Sequence, residues 1–267
     1  FDGHEIAAAA AGRGAVAALV ERELPLPVPQ VVAKDSLAAL SAAAAAWRAG
    51  FDIPVVGVAG SNGKTSTKEM VAAILAERGP VLATRGTLNN HIGVPLTLFG
   101  IDAGHRAAVI ELGANHPGEV AALAALARPT VGLVTNAGAE HLEGFGSLDG
   151  VARAEGELFE SLPAWGTAVV NADDAYAGLW RGMATAGTVL TFGTGPADVR
   201  AQGVRLGVEE GAWATRFELH TPQGGVAVRL SLPGVHNVAN DDGAAAAAHA
   251  CGASLADVAA GLARVQP

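Results

Sequence analysis

The sequence has one cysteine, one tyrosine, two methionines, and aromatic residues at only 4% of its 267 positions. A single cysteine, Cys251, excludes an intrachain disulfide and suits a reducing compartment. Charge is sparse as well, at 16%, and positive charge is the scarcer: 17 Lys and Arg stand against 26 Asp and Glu, a net −9. That balance argues against a non-specific nucleic-acid binder, which needs a basic stripe. It leaves anionic ligands open, because a local lysine, a helix N-terminus and Mg²⁺ can bind phosphate on an acidic protein. No uncharged, strongly apolar run reaches the roughly 18–20 residues of a membrane span; the long apolar stretches are mostly alanine. An initiating Met and a basic-then-apolar signal segment are both missing, and Phe1 opens mid-pattern, so the start reads as a cut. Half of the residues are hydrophobic, which excludes general disorder. The expectation is a soluble, cytoplasmic, monomeric α/β protein of one or two domains.

Strand and helix signals alternate along most of the chain. Short apolar runs at Pro54–Ala59, Val81–Thr84, Ala107–Glu111, Val131–Thr135, Ala168–Asn171 and Val189–Phe192 read as strands. Helical stretches lie between several of them, at Lys64–Arg78, Pro117–Ala127 (with Pro117 at the first helical position) and Leu148–Leu162. Continuous apolar strands separated by helices predict a mostly parallel sheet covered on both faces. Ligands then belong beyond the carboxyl ends of the strands. Alternation in Thr215–His220 and Val226–Leu232, around Pro222-Gln-Gly-Gly225, predicts a small antiparallel hairpin. Two helices follow, near 237–250 and 255–263, the second opened by Ser254 with Asp257 three residues on. Residues 1–35 predict one helix and one or two strands, and Ser36–Arg48 a helix leading into the main sheet.

The most specific chemical signal is Gly60-Ser-Asn-Gly63-Lys64-Thr65, directly after a strand and before a helix. Its glycines permit tight curvature, so that successive N–H groups surround phosphate oxygens. Lys64 supplies charge to the β- and γ-phosphates and Thr65 a hydroxyl to Mg²⁺. The strict phosphate-loop pattern would put a glycine where Val58 stands; Gly57 comes one place early. The expected ligand is a nucleoside triphosphate.

From Val55 onward the chain resembles the Mur ligases, ATP-dependent amide-forming enzymes of peptidoglycan assembly. Gly60-Ser-Asn-Gly-Lys-Thr-Ser-Thr-Lys-Glu-Met70 is similar to the family's phosphate loop, shifted glycine included. Thr84-Arg-Gly-Thr-Leu-Asn89-Asn90-His-Ile-Gly-Val-Pro-Leu-Thr-Leu98, Glu111-Leu-Gly-Ala-Asn-His-Pro-Gly-Glu119 and Thr135-Asn136-Ala-Gly-Ala-Glu140-His141 resemble the branch acting on D-alanyl-D-alanine. Leu232-Pro-Gly-Val-His-Asn237-Val-Ala-Asn240 resembles the adenine-side motif, and Phe1-Asp-Gly-His4 a piece of the N-terminal uridine-binding domain. The resemblance implies three domains, of which this chain holds the tail of the first (1–35, a partial N-terminal α/β domain) and the whole second (36–267, the central ATP-binding domain), with the third expected after Pro267. It implies ATP and Mg²⁺ as cofactors, and UDP-N-acetylmuramoyl-tripeptide and D-alanyl-D-alanine as substrates.

Residue by residue, the resemblance implies that Gly60, Ser61, Asn62, Gly63, Lys64, Thr65 and Ser66 hold the phosphates, with Asn237 and Asn240 beside adenine. Thr65 and Glu111 are the implied ligands of one Mg²⁺, and His141 the implied ligand of a second, between the γ-phosphate and the substrate carboxylate. Glu111 could equally be a salt-bridged strand-end residue and His141 a structural or acid–base histidine, since Mg²⁺ prefers oxygen. Asn89, Asn90, His91, Asn115 and Asn136 are implied on the substrate side, though the first three also suit a turn. His116 could join them. Asn237 has a second reading as a helix cap. Asn171, Asp173 and Asp174 read as a turn, and Cys251 as core. Lys64, Glu111, His141 and Glu155 are the implied catalytic set. Glu155 stands where most of the family has a lysine that becomes a carbamate. It reads either as a built-in substitute for that anion or as a solvated helix-face residue. The departure Asp241-Asp242-Gly243, where small apolar residues are expected, puts the packing there in question. Three functional readings follow: the D-alanyl-D-alanine-adding ligase; another family member, such as folylpolyglutamate synthase or the enzyme adding the third amino acid; and a nucleotide-binding module without ligase activity. The isolated chain is expected to bind nucleotide with negligible turnover.

Overall fold

The computed structural model describes residues 2–209, 212–232 and 234–265. Phe1 of the opening motif and Pro233 of the 232–240 motif lie outside the described residues. A 3-10 turn (Gly3–Ile6) runs into α1 (Ala7–Gly12), and two short parallel strands follow, β1 (Ala18–Val20) and β2 (Gln30–Val32). Asp35 accepts the Ala38 N–H and so caps α2 (Ser36–Ala49). Strands and helices then alternate through β3 (Val55–Ala59), α3 (Lys64–Ala76), β4 (Val81–Ala83), α4 (Gly93–Leu98), β5 (Ala107–Glu111) and α5 (Glu119–Ala127). They continue through β6 (Val131–Val134), α6 (Leu142–Phe145), α7 (Leu148–Glu160), β7 (Thr167–Asn171), α8 (Ala177–Met183) and β8 (Thr188–Phe192). The antiparallel strands β9 (Arg200–Glu209), β10 (Ala212–Thr221) and β11 (Gly224–Leu230) precede α9 (Val235–Ala250) and α10 (Leu255–Arg264).

The main sheet runs β4-β5-β3-β6-β7-β8, all parallel. Every residue of β3, β5 and β6 is buried, as continuous apolar strands under two helical layers require. Alternate residues feed separate cores. Val56, Val58, Val109 and Leu133 face α3, α9 and α10, while Val55, Ala59, Ile110 and Val134 face α2, α4, α5 and α7. The connection leaving β3 runs through α3 on one face to the edge strand β4, whereas the connection leaving its neighbour β5 runs through α5 on the other face and past β3 to β6. The crevice beyond the carboxyl end of β3 is therefore the topological switch point, where doubly wound sheets bind ligands.

Three expectations need correction. Pro117 does not begin a helix: Gly118 is the N-cap and α5 starts at Glu119. The antiparallel segment has three strands, since β9 pairs with β10 outside the expected hairpin. Asn237 is not a cap; α9 begins at Val235 with Gly234 at its N-cap. The short helices α4, α6 and α8 were not anticipated, because four to seven residues give too little periodicity to read. Among the described residues no helix is long and apolar enough to cross a membrane.

The Asp241-Asp242 departure lies inside α9 and is wholly buried, and among the described residues none of the four carboxyl oxygens has a well-formed hydrogen bond, although the Ala201 backbone N–H approaches Asp242. Burial pushes the Asp241 carboxyl far up and that of Asp242 up to about 8, so both are carried neutral in the folded chain at low pH. An acid whose folded pKa exceeds its unfolded value binds protons more tightly when folded. Its contribution to stability is complete below the ordinary Asp value and is lost as pH rises towards about 8. Asp242→Ala is expected to raise the unfolding free energy at pH 8 by about 1–3 kcal/mol and to reduce its fall between pH 4 and 8. Chemical denaturation at a series of pH values checks this; an unchanged pH slope contradicts it.

Candidate nucleotide site

The loop between β3 and α3 occupies the switch point. Gly63 caps α3 with φ +83°, a left-handed conformation, and an added Cβ there would lie 2.5 Å from the Asn240 Oδ1. Glycine is thus required both by the turn and by the approach of α9. The loop is braced from the end of β6. Ser61 N–H donates to the Asn136 carbonyl at 2.9 Å, and Gly138 N–H donates to Ser61 Oγ at 2.7 Å. The Asn136 amide holds Asn62 at both ends, accepting its N–H at 3.1 Å and donating to its carbonyl at 2.9 Å. Thr135 Oγ1 donates to that same carbonyl at 2.7 Å.

Lys64 folds back on the loop, its Nζ donating to the carbonyls of Gly60 at 2.5 Å and Ser61 at 2.8 Å. The Gly60 N–H donates to Glu155 Oε2 at 2.7 Å. Glu155 reaches this point from α7 and is 5% exposed, so the solvated helix-face reading is excluded. Burial pushes its carboxyl up to about 7, against the pull of Lys64 and the Gly60 hydrogen bond.

Across the loop, Thr65 Oγ1 donates to Glu111 Oε2 at 3.0 Å, bringing together two of the expected metal ligands. Glu111 ends β5 and is 1% exposed. Asn89 Nδ2 donates to its other oxygen at 2.9 Å, and Thr84 Oγ1 accepts its N–H at 3.0 Å. A hydroxyl and a carboxylate are hard oxygen donors, the set Mg²⁺ prefers. Among the described residues no three His, Cys, Asp or Glu gather into a metal-holding group. His141, the expected ligand of a second Mg²⁺, is the left-handed N-cap of α6 and is exposed. It lines a separate hollow of about 570 Å³ with Asn115, His116 and Glu143.

The other expected residues divide by what holds them. Asn90 Oδ1 accepts the N–H groups of Ile92 and Gly93, which makes it a turn former at the start of α4. His91 is exposed beside it. Asn115 and His116 N–H groups donate to Glu119. Ser66 is half-buried in the first turn of α3. Asn240 lines a cleft of about 290 Å³ next to the loop, with Asn62, Asn136 and Asn171 and the apolar walls Leu133 and Phe192. Asn237 is buried in the first turn of α9 and does not line that cleft. Asn171 donates to the Thr135 carbonyl, Asp173 accepts the Thr194 N–H beyond β8, and Asp174 accepts the Ala137 N–H beyond β6. Burial pushes the Cys251 thiol up to about 12, as suits a core residue. Sequence reasoning did not single out Thr84, Thr135 or Lys68. The only signal for Lys68 was its position four residues after Lys64, on the same helical face.

Comparisons agree with this geometry. The Mur ligase middle domain family matches residues 58–250. The chain is 45% identical over 266 residues to the UDP-N-acetylmuramoyl-tripeptide–D-alanyl-D-alanine ligase of Escherichia coli K12, covering all of this chain and 58% of that protein. It is 39% identical to the ligase of the same name from Haemophilus influenzae, covering 98% of this chain and 57% of that protein. Among solved structures, MurF from Acinetobacter baumannii superposes with a TM-score of 0.92 at 38% identity, over all of this chain and 58% of that one. MurF ligase from Thermotoga maritima in complex with ADP gives 0.83 at 26% identity, over all of this chain and 61% of that one. The chain thus spans less than two thirds of the length of these relatives. On the match of its middle-domain segment and the identity of these relatives, the chain belongs to the Mur ligase family.

Proposed function

We propose that this chain is the ATP-handling part of a ligase that joins D-alanyl-D-alanine to UDP-N-acetylmuramoyl-tripeptide. The observation that carries the reading is the pairing of Thr65 with Glu111 beside a phosphate loop whose lysine rests on the loop's own carbonyls. Residues 1–35 are proposed as the tail of an N-terminal substrate domain and 36–267 as the central domain. The substrate carboxylate attacks the γ-phosphorus of ATP, the bond to the β–γ bridging oxygen breaks, and acyl phosphate and ADP form. The amine of D-alanyl-D-alanine then attacks the acyl carbon, loses a proton and expels phosphate. Both steps bring anions or dipoles against a polyphosphate, so the site's contribution is positioning and cationic charge.

Lys64 has two carbonyl hydrogen bonds to exchange for β- and γ-phosphate oxygens, and Gly60–Ser66 supply backbone donors. Asn240 faces the base from α9, and Leu133 and Phe192 give that cleft the apolar walls a purine needs. Asn237 is proposed with it through the family resemblance alone. Thr65 and Glu111 would hold Mg²⁺, which would supply positive charge to offset that of the γ-phosphate. His141, with Asn115 and His116 in the adjoining hollow, is proposed on the side of the tripeptide carboxylate, and His91 on the substrate side. Asn89, Asn90 and Asn136 act chiefly by aligning Glu111, α4 and the phosphate loop. Glu155 is proposed as a built-in anion in place of a carbamylated lysine; its buried carboxylate under the loop supports this over a surface role.

Two outcomes test the proposal. The 267-residue chain is expected to bind Mg²⁺–ATP without turnover. At the full length of its relatives, the protein is expected to release phosphate only when UDP-tripeptide and D-alanyl-D-alanine are both present. A steady-state phosphate assay checks this, and release indifferent to either substrate sinks it. The Glu155 assignment predicts that this activity is the same in CO₂-depleted buffer as with added bicarbonate. A strong loss on depletion, restored by bicarbonate, would overturn it.

A further inference from the structure

Lys68 is fully buried in α3, three residues after Thr65 and four after Lys64, and no part of the reaction outlined above uses it. The position is a costly one for a cation. Burial strips the ammonium of water, and the nearby N-terminal end of the helix adds a dipole of like sign. Three contacts offset the cost. Its Nζ donates to the Thr84 carbonyl at the end of β4 at 2.6 Å, meets Glu69 Oε1 at 2.8 Å, and stands 3.9 Å from Glu111 Oε2. The Glu69 side chain is 57% exposed, so that pair is screened by solvent and contributes little. Glu111 is the partner as buried as Lys68 itself.

Thr84 links the two charges. Its carbonyl receives the Lys68 ammonium while its Oγ1 accepts the Glu111 N–H. Lys68 therefore acts on Glu111 in two ways, by direct attraction across 3.9 Å and through the backbone of Thr84 that fixes the end of β5. With Asn89 on Oε1 and Thr65 on Oε2, the carboxylate has one orientation, facing the start of α3. We infer that Lys68 is a positioning residue for the metal site: it is the resident counter-charge that keeps the Glu111 carboxylate buried and aimed before Mg²⁺ arrives. This inference rests on reading Thr65 and Glu111 as the Mg²⁺–ATP site.

A residue that serves only as a strut between α3 and β4 would change stability and nucleotide affinity alike, with or without metal. A positioning residue for Glu111 changes the metal dependence alone. ATP binding by the protein is measured calorimetrically over a range of Mg²⁺ concentrations and again in EDTA, for wild type, Lys68→Met and Lys68→Gln. Circular dichroism reports folding. The Mg²⁺ concentration that gives half of the metal-induced gain in affinity is expected to rise about 10–100-fold in the variants, as for other losses of support behind a metal ligand. Affinity in EDTA is expected to stay at the wild-type value. Lys68→Gln keeps a donor for the Thr84 carbonyl without the charge, and decides the matter if Lys68→Met does not fold. An unmoved Mg²⁺ requirement in a folded variant, or an equal loss with and without metal, overturns the inference. If wild type itself shows no Mg²⁺-dependent ATP binding, the site reading falls and this inference with it.

Discussion

The arrangement depends on keeping a carboxylate at the end of a strand that has no solvent. Glu111 closes β5, whose five residues are all buried, and a lone negative charge there is costly unless it is paired. Each neighbour of Glu111 answers that constraint. Thr65 and Asn89 donate to its two oxygens, Thr84 receives its N–H, and Lys68 supplies charge from the next layer. The parallel sheet makes the constraint possible, because β5 and β6 flank β3 and deliver their carboxyl ends to either side of one loop. The buried side of this site, where Glu111 and Lys68 are shielded from solvent, strengthens the electrostatic interactions made there.

The phosphate loop carries the complementary half of the charge balance. Its lysine and its first N–H are both engaged within the protein, Lys64 with loop carbonyls and Gly60 with Glu155. In the proposed reading, phosphate oxygens arriving on Lys64 would exchange one set of acceptors for another, so the loop would not need to be built anew. Thr135 and Asn136, fixed at the end of β6, hold the loop's backbone during that exchange. The proposed place for the base is elsewhere, where α9 brings Asn240 against Gly63. One helix therefore couples the antiparallel sheet that precedes it to the nucleotide cleft.

Much of this was legible in the chain. Apolar runs such as Ala107–Glu111 and Val131–Val134 announced buried parallel strands, and Gly63-Lys64-Thr65 announced the loop between them. What the sequence left open was decided by side chains crossing between elements far apart in the chain. Asn136 read as a group able to position substrate or phosphate, and only the fold shows that its amide closes on Asn62, 74 residues away. Asn90 read as a substrate contact or a turn former, and local backbone geometry makes it at least the latter. Glu155 read equally well as exposed or as functional; the packing of α7 under the loop decides for burial. Lys68 passed unnoticed since nothing in a helical pattern distinguishes a buried lysine from a solvated one. The short helices α4, α6 and α8 fell below the length at which periodicity speaks.

The central claim is that Thr65 and Glu111 form the metal-binding edge of a nucleotide site. It is tested most directly by anomalous diffraction from crystals grown with Mn²⁺ and a non-hydrolysable ATP analogue. The account predicts a manganese peak within coordination distance, about 2.0–2.3 Å, of both Thr65 Oγ1 and a Glu111 oxygen. It also predicts that Lys64 will have moved from the Gly60 carbonyl to the phosphates. A peak away from both residues, with nucleotide bound and Lys64 still on its carbonyls, would contradict it.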